Sequence, residues 1–165
     1  MQLDTKHFGV VEINEEGILD FPEGLPSFEH VKKFVILDAS NEETPFKWLQ
    51  SVDEPDLAFV IVDPFKIKND YEVNIKDEVL EAMGIEKAED VLIYSIVVIP
   101  EDVSLMTMNL RAPLVINVKN KRGMQVVLDT DRYSVRHYIL EELRRQEVGA
   151  HACSDKKEGT IHHNK

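Results

Sequence analysis

Short apolar runs rich in Val, Ile and Phe, each ending at Gly, Pro, Asn or Asp, make up most of this sequence. Such runs are typical of β-strands, because β-branched and aromatic side chains fit a pleated, half-buried surface. They follow one another closely, which favours an antiparallel barrel or sandwich over a parallel α/β sheet. We predict eight to ten strands from these candidates: Gln2–Phe8, Val10–Ile13, Ile18–Phe21, Lys33–Leu37, Trp48–Val52, Ala58–Val62, Val91–Ile99, Val103–Asn109, Leu114–Val118 and Gln125–Asp129.

Two segments have helical periodicity instead. In residues 75–83, four apolar side chains fall on one helical face, Asn74 can cap the start, and Gly84 can adopt the left-handed conformation that ends a helix. We expect this short helix to cover one end of the sheet structure. A second helix is predicted over about residues 134–148, with Ser134 as its cap and an apolar stripe that needs a surface to cover it.

A chain of 165 residues suits one domain with a single core. We expect that domain to span residues 1–131, followed by a C-terminal extension over residues 132–165. Beyond Gly149 the extension is polar and has no periodicity, so we expect disorder there.

The formal charge of −12 is spread unevenly. Residues 1–131 contain 12 Lys and Arg against 26 Asp and Glu, a charge of −14, whereas residues 132–165 carry +2. An acidic surface repels phosphate backbones and attracts basic proteins. The single basic cluster of the domain, Lys119, Lys121 and Arg122, lies at a predicted hairpin tip without aromatic neighbours. We therefore expect no direct binding of nucleic acid.

Compartment is indicated by what the sequence lacks. The longest apolar run, Val91–Ile99, is far shorter than the roughly 20 residues of a membrane helix. The N-terminus has no pattern of a secretory signal, and the single Cys153 excludes an internal disulfide. We expect a cytoplasmic protein without membrane contact.

Catalytic and metal-binding patterns are missing as well. There is no glycine-rich phosphate loop and no G-x-S-x-G elbow, and the abundant carboxylates fit a solvated acidic face. His7, His30 and His137 lack metal-site spacing, and the ligand types in the tail fit no zinc pattern. Those tail residues are His151, Cys153, His162 and His163. We predict no catalytic residue, no metal site and no cofactor; the alternative is a small barrel enzyme or carbohydrate-binding domain with a carboxylate pair.

A proline-marked loop follows the strand that ends at Phe21. Pro22 ends hydrogen bonding to a neighbouring strand, and Gly24 permits an unusual turn. The loop contains Leu25 and Phe28, and apolar side chains in a loop more often pack beneath it than contact a partner.

A second proline marks the stretch Asn109–Asp129, which otherwise resembles a β-hairpin. Pro113 cannot donate a hydrogen bond to a sheet and biases Ala112 toward an extended conformation, so the chain must turn there and restart at Leu114. Asn109 can accept hydrogen bonds from the turn backbone.

Five motifs in order and at matching spacing closely resemble the flagellar assembly factor FliW family. Together they span nearly all of residues 2–131, which makes the combination specific although each motif alone is weak. The motifs are DTKHFG at Asp4–Gly9, FPEGLPSF at Phe21–Phe28, FKWLQSV at Phe46–Val52, FVIVDPF at Phe59–Phe65 and TMNLRAPLVIN at Thr107–Asn117.

The resemblance implies a mainly-β fold: a compact antiparallel β-barrel-like domain with one short helix and, here, a C-terminal helical tail. It also implies a non-enzymatic protein that binds flagellin and the translational repressor CsrA, a small RNA-binding dimer. Binding of CsrA would relieve its repression of flagellin translation. An alternative is a secretion chaperone that binds flagellin alone. We expect the protein by itself to be monomeric.

The two proline-marked loops are the predicted partner-binding site. We expect Leu25, Phe28 and Leu110 to serve as small apolar anchors, and Leu110→Ala to weaken one partner while the melting temperature stays nearly unchanged. The predicted contact residues are Gly24, Leu25, Pro26, Phe28, Asn109, Leu110, Arg111 and Pro113.

Overall fold

The computed structural model describes residues 1–6, 8–38 and 44–152, the last five of these by backbone alone. Those ranges are mainly β-structure, as predicted. The strands are β1 (Gln2–Thr5), β2 (Gly9–Glu12), β3 (Leu19–Asp20), β4 (Lys33–Asp38), β5 (Phe46–Ser51), β6 (Ala58–Val62), β7 (Val91–Val98), β8 (Thr107–Met108), β9 (Leu114–Asn117), β10 (Arg122–Gln125) and β11 (His137–Tyr138).

Seven of these strands close into a barrel. The order of hydrogen-bonded neighbours is β7, β6, β5, β4, β3, β10 and β9, and β9 pairs again with β7. The pairs are antiparallel except β3 with β10, which run parallel and meet at one bridge, Asp20 with Arg122. The predicted barrel is therefore confirmed, with a closure between β3 and β10 that is shorter than the other pairings. We call this closure the seam.

The remaining strands lie outside the barrel. β1 and β2 form a separate antiparallel hairpin, in which Leu3 packs with Ile13 and with Val35 of β4. β8 and β11 extend the sheet beyond β7, since Met108 lies opposite both Val97 and His137. The hairpin thus covers one outer face, and the extension carries the chain toward its last helix.

Within the described ranges, three α-helices accompany the sheet: α1 (Pro64–Ile67), α2 (Asp77–Ala82) and α3 (Ile139–Ala152). The predicted stop of α2 is correct, because Gly84 has a φ of +70°. The predicted cap is wrong: the N-cap position is Lys76, two residues after Asn74, and its side chain makes no capping hydrogen bond. α1 was not predicted; its turn is started by Asp63, whose carboxylate accepts the Phe65 N–H at 3.0 Å.

The described ranges contain eleven strands rather than the predicted eight to ten, and two predicted strands differ most from the structure. Val103–Leu105 forms a 3-10 turn, because the Asp102 carboxylate accepts the Ser104 N–H at 3.1 Å and favours a cap over an extended strand. The last strand of the hairpin is β10 rather than Gln125–Asp129, since Lys121 takes a φ of +61° and the chain turns early.

The C-terminal helix also starts later than predicted. The Ser134 hydroxyl accepts the Arg136 N–H at 2.9 Å in a local turn, and β11 follows it before α3 begins at Ile139. α3 continues to Ala152, beyond the predicted end at residue 148. The disorder predicted after Gly149 falls mostly on residues 153–165, which lie outside the described residues, as do Cys153, His162, His163 and His7.

The two largest clusters of buried side chains in the described ranges fill the barrel interior and the space beside it. One lies under the loop that follows β3 and includes Phe21, Phe34, Leu49, Ile61 and Leu114. The other lies toward α1 and α3 and includes Tyr71, Met108, Leu110, Tyr133 and Ile139. Because these clusters lie directly beneath the two proline-marked loops, the loops are held by the core.

Candidate partner-binding groove

The first proline-marked loop is fixed by backbone geometry at Gly24. Its φ is +65°, and a Cβ atom there would lie 2.6 Å from the Cα of Glu29. The Gly24 N–H donates to the carbonyl of Phe21 at 2.8 Å, which closes the turn after Pro22. Only glycine fits this position without strain, so the FPEG sequence has a structural explanation.

Leu25 and Phe28 pack beneath this loop rather than facing solvent. Leu25 is only 2% exposed and accepts the Phe28 N–H through its carbonyl at 2.7 Å. The half-buried Phe28 ring lies edge-on to Phe59, with 5.6 Å between ring centroids. Packing beneath the loop, the more common arrangement, is therefore confirmed for Leu25 and in part for Phe28, whereas the alternative role of Leu25 as an exposed anchor is wrong.

The second loop is organised by Asn109. Its side-chain oxygen accepts the N–H groups of Arg111 at 3.1 Å and of Ala112 at 2.9 Å. An amide side chain that bonds two backbone donors in a turn is a known device of asparagine. The corner can therefore turn between β8 and β9 without leaving those two N–H groups unpaired.

Leu110 is the core residue of this corner. It is fully buried, and its carbonyl accepts the hydroxyl of Tyr71 at 2.5 Å. Burial raises the pKa of Tyr71, so the phenol stays protonated and remains a donor. The expected small effect of Leu110→Ala on the melting temperature is thus contradicted by the position of this side chain in the core.

Parts of both loops meet in one depression beside the seam, with a volume of about 510 Å³. Of the predicted contact residues, Gly24, Pro26 and Asn109 line it. The remaining lining residues are Glu23, Glu29, Ala112, Met124, Gln125 and Val127. We call this depression the seam groove.

The other predicted contact residues lie elsewhere. Pro113 is buried at the start of β9, and Arg111 is half-buried, with its guanidinium 3.7 Å from the carboxylate of Asp131. Neither lines the seam groove, and their role in partner binding stays a prediction, as does that of the three lining residues.

Sequence reasoning missed the contribution of the strand after the hairpin turn. Val126 and Leu128 are buried, whereas Val127 between them is 70% exposed and lines the groove. In a strand with one solvated face, polar and apolar residues normally alternate. The sequence lacks that signal here, because all three positions carry apolar residues.

The position of the groove follows from how the seam ends. Phe21 follows β3 directly and packs on Gly123, where a Cβ atom would lie only 2.5 Å from the ring. Pro22 then leads the chain away, so β3 accompanies β10 no further. Beyond this point, the groove lies between the first proline-marked loop and residues 126–128, which we call the continuation of β10.

A cluster of polar side chains around Glu142 connects the C-terminal helix α3 to neighbouring elements. The Glu142 carboxylate is almost fully buried and accepts hydrogen bonds from Gln146 at 2.6 Å, from Arg145 at 3.0 Å and from the His137 ring at 2.8 Å. Lys68, after α1, lies 3.9 Å away. Burial alone would raise the pKa of Glu142, but the bonds from Gln146 and His137 and the charge of Lys68 lower it overall.

In the described ranges, no three His, Cys, Asp or Glu side chains are grouped so that they would hold a metal ion. None of the helices in those ranges has the length and apolar content needed to cross a membrane.

Comparisons with known proteins agree with the motif resemblance. The family model described as FliW protein matches residues 2–139. The flagellar assembly factor FliW of Caldanaerobacter subterraneus subsp. tengcongensis is 48% identical over 144 residues, which are 87% of this chain and 96% of that protein. The FliW of Caldicellulosiruptor saccharolyticus is 51% identical over 139 residues, 84% of this chain and 90% of that protein.

A solved structure shares the fold. The crystal structure of a flagellar assembly factor FliW superposes with a TM-score of 0.77 at 39% identity, covering 84% of this chain and 96% of that one. The range matched by the family model contains the whole barrel and both proline-marked loops. The chain therefore belongs to the FliW family of flagellar assembly factors.

Proposed function

We propose that this protein is a cytoplasmic, non-enzymatic partner switch that binds flagellin and the repressor CsrA. In the bound state it would prevent CsrA from blocking flagellin translation, and flagellin would release CsrA by competing for the protein. The observation that carries the proposal is that the two proline-marked loops, each part of a family motif, meet at the seam groove, which is concave and acidic. We assign this groove to at least one of the two partners.

Charge supports a basic partner. Residues 1–131 carry a formal charge of −14, and among the described residues that line the seam groove the two ionisable ones are both glutamates, Glu23 and Glu29. The negative electrostatic field of such a surface increases the rate of association with a basic RNA-binding protein. This field also competes with RNA for that protein. The same field disfavours direct contact between this protein and RNA.

The groups with shifted pKa values have structural explanations, which favours binding over catalysis. Tyr71 donates to a backbone carbonyl in the core, and Glu142 joins α3 to neighbouring elements. Neither Tyr71 nor Glu142 lines the seam groove. Glu29 does line it, and its pKa is lowered by hydrogen bonds from the backbone N–H groups of Glu29 itself and of Ser27, not by a second carboxylate as expected of a catalytic pair.

The first test is a calorimetric titration of the purified full chain with CsrA from the same organism, repeated with flagellin already bound. Binding of CsrA that bound flagellin abolishes is the expected result. Binding of flagellin without binding of CsrA would instead identify the protein as a secretion chaperone. Binding of neither partner would contradict the proposal.

A groove variant localises the interaction. Glu23→Lys reverses one charge at the rim and is expected to weaken a basic partner, whereas Glu86→Lys reverses an exposed charge outside the lining residues and serves as the matched control. Equal effects of the two substitutions would show that only the overall charge matters and would remove the groove from the assignment.

A further inference from the structure

The continuation of β10 has one paired edge and one open edge. On the paired side, the Val126 N–H donates to the Pro113 carbonyl at 2.9 Å and the Leu128 N–H to the Arg111 carbonyl at 2.8 Å. Because backbone groups along a strand point alternately to its two sides, the odd-numbered residues 125 and 127 point their N–H and C=O groups the opposite way. That side belongs to the seam, where β3 pairs only at Arg122.

Val127 shows the open edge most clearly. Its side chain is 70% exposed, and neither its N–H nor its C=O has a hydrogen-bond partner among the described residues. An unpaired strand edge is a template for another strand. Here the edge lies in a concave setting, since Gln125 and Val127 both line the seam groove.

The groove walls define the chemistry of an added strand. Pro26, Met124 and Val127 supply apolar surface, and Glu23 and Glu29 supply the charge. The Glu29 carboxylate is held in place by the N–H of Ser27 at 3.1 Å. With two carboxylates and no basic residue among the described lining residues, the groove complements a segment that carries Lys or Arg.

We propose that the seam groove binds an extended, cationic segment of a partner protein as an added β-strand along the open edge at Gln125–Val127. Main-chain hydrogen bonds to residues 125 and 127 hold the segment, and Lys or Arg side chains on alternate positions reach Glu23 and Glu29. This inference rests on the proposed function only in taking the groove as a partner site.

The direct test uses a panel of capped ten-residue peptides in which Lys alternates with Val, Ile, Thr or Phe, titrated into the full-length protein. Amide hydrogen exchange is read residue by residue. We expect binding to slow exchange at Val127 by about tenfold or more, while Val126 and Leu128, which are already paired, change little. Peptides with Glu in place of Lys, and Lys peptides N-methylated at alternate amides, are the controls and should bind at least about tenfold more weakly.

Two substitutions complete the test. Val127→Pro removes the open N–H and should weaken the best Lys peptide about tenfold, whereas Val127→Ala keeps the N–H and should weaken it far less. Unchanged melting temperatures establish that both variants are folded. Glu23→Lys should also weaken the peptide, and Glu86→Lys should not.

Several results would overturn the inference. These are equal binding of N-methylated and unmodified peptides, absence of binding throughout the panel, and protection of the Val127 amide already in the free protein. If that protection disappears on dilution, a second copy occupies the groove; if it disappears on deletion of residues 153–165, the chain's own tail does. Normal binding of CsrA and flagellin by Val127→Pro would leave the proposed function standing and reject the added strand alone.

Discussion

Leu110→Ala tests whether the corner between β8 and β9 is a core element. The Leu110 side chain is fully buried among Tyr71, Met108 and Tyr133. Removing three carbon atoms from such a site loses burial and leaves a cavity, which costs about 2–5 kcal/mol in comparable cores. The Tyr71 bond goes to the Leu110 backbone carbonyl, so it can persist in the variant. For a chain of this length, roughly 2–4 °C of melting temperature per kcal/mol gives a loss of roughly 4–20 °C.

Urea unfolding followed by far-ultraviolet circular dichroism measures this effect. We expect a lower midpoint with an unchanged slope, which identifies a change in stability rather than in the compactness of either state. Val127→Ala at the 70%-exposed groove position is the control and should change stability by no more than about 0.5 kcal/mol. A loss below about 1 kcal/mol for Leu110→Ala would refute the packing argument and return Leu110 to the surface as a partner anchor.

Three further perturbations test the loops and the C-terminal helix. Gly24→Ala should destabilise the protein by at least about 1–3 kcal/mol in urea unfolding, because φ is +65° and the new Cβ would meet the Glu29 backbone at 2.6 Å; a neutral effect would contradict the turn. Asn109→Ala should cost about 1–2 kcal/mol by leaving two N–H groups of the corner without their acceptor, and Asn109→Asp, which keeps an acceptor, should cost less. The lowered pKa of Glu142 stabilises the folded state above the usual value of 4.5, and this contribution is lost as the pH falls through the lower, folded-state pKa. Unfolding curves should therefore show Glu142→Gln less stable than the parent at pH 7 and the difference narrowing at acid pH; a gap that stays constant down to pH 2 would exclude this linkage.

The barrel, the end of α2 and the hairpin were predictable, because local sequence preferences in these regions agree with the tertiary structure. The alternation of apolar runs and turn residues gives the strands their positions, and Gly84 ends α2 with the positive φ that few other residues accept. The predicted boundaries of strands and helices were wrong where a polar side chain started a turn inside an apolar run. The Asp102 carboxylate at Ser104 and the Ser134 hydroxyl at Arg136 are two such cases.

The candidate site was predictable in its loops but not in its surface. Both proline-marked stretches were recognised, yet a single sequence cannot tell whether Leu25 or Leu110 packs beneath its loop or faces solvent. That depends on contacts with residues far along the chain, such as Tyr71 at Leu110. Val127 was missed for a related reason, since its exposure depends on where β3 leaves the seam.

The single bridge between Asp20 and Arg122 also bears on how the protein is made. These residues are about a hundred positions apart, whereas β4, β5 and β6 pair with near neighbours along the chain. Pairing of distant segments carries a larger entropic cost before any contact rewards it. During synthesis the strands from β4 to β6 can assemble while β10 is still inside the ribosome, so we expect the barrel to close late and the seam groove to form last. Pulse-labelled hydrogen exchange during refolding would show this as late protection of the Asp20 amide, and protection simultaneous with β5 would contradict it.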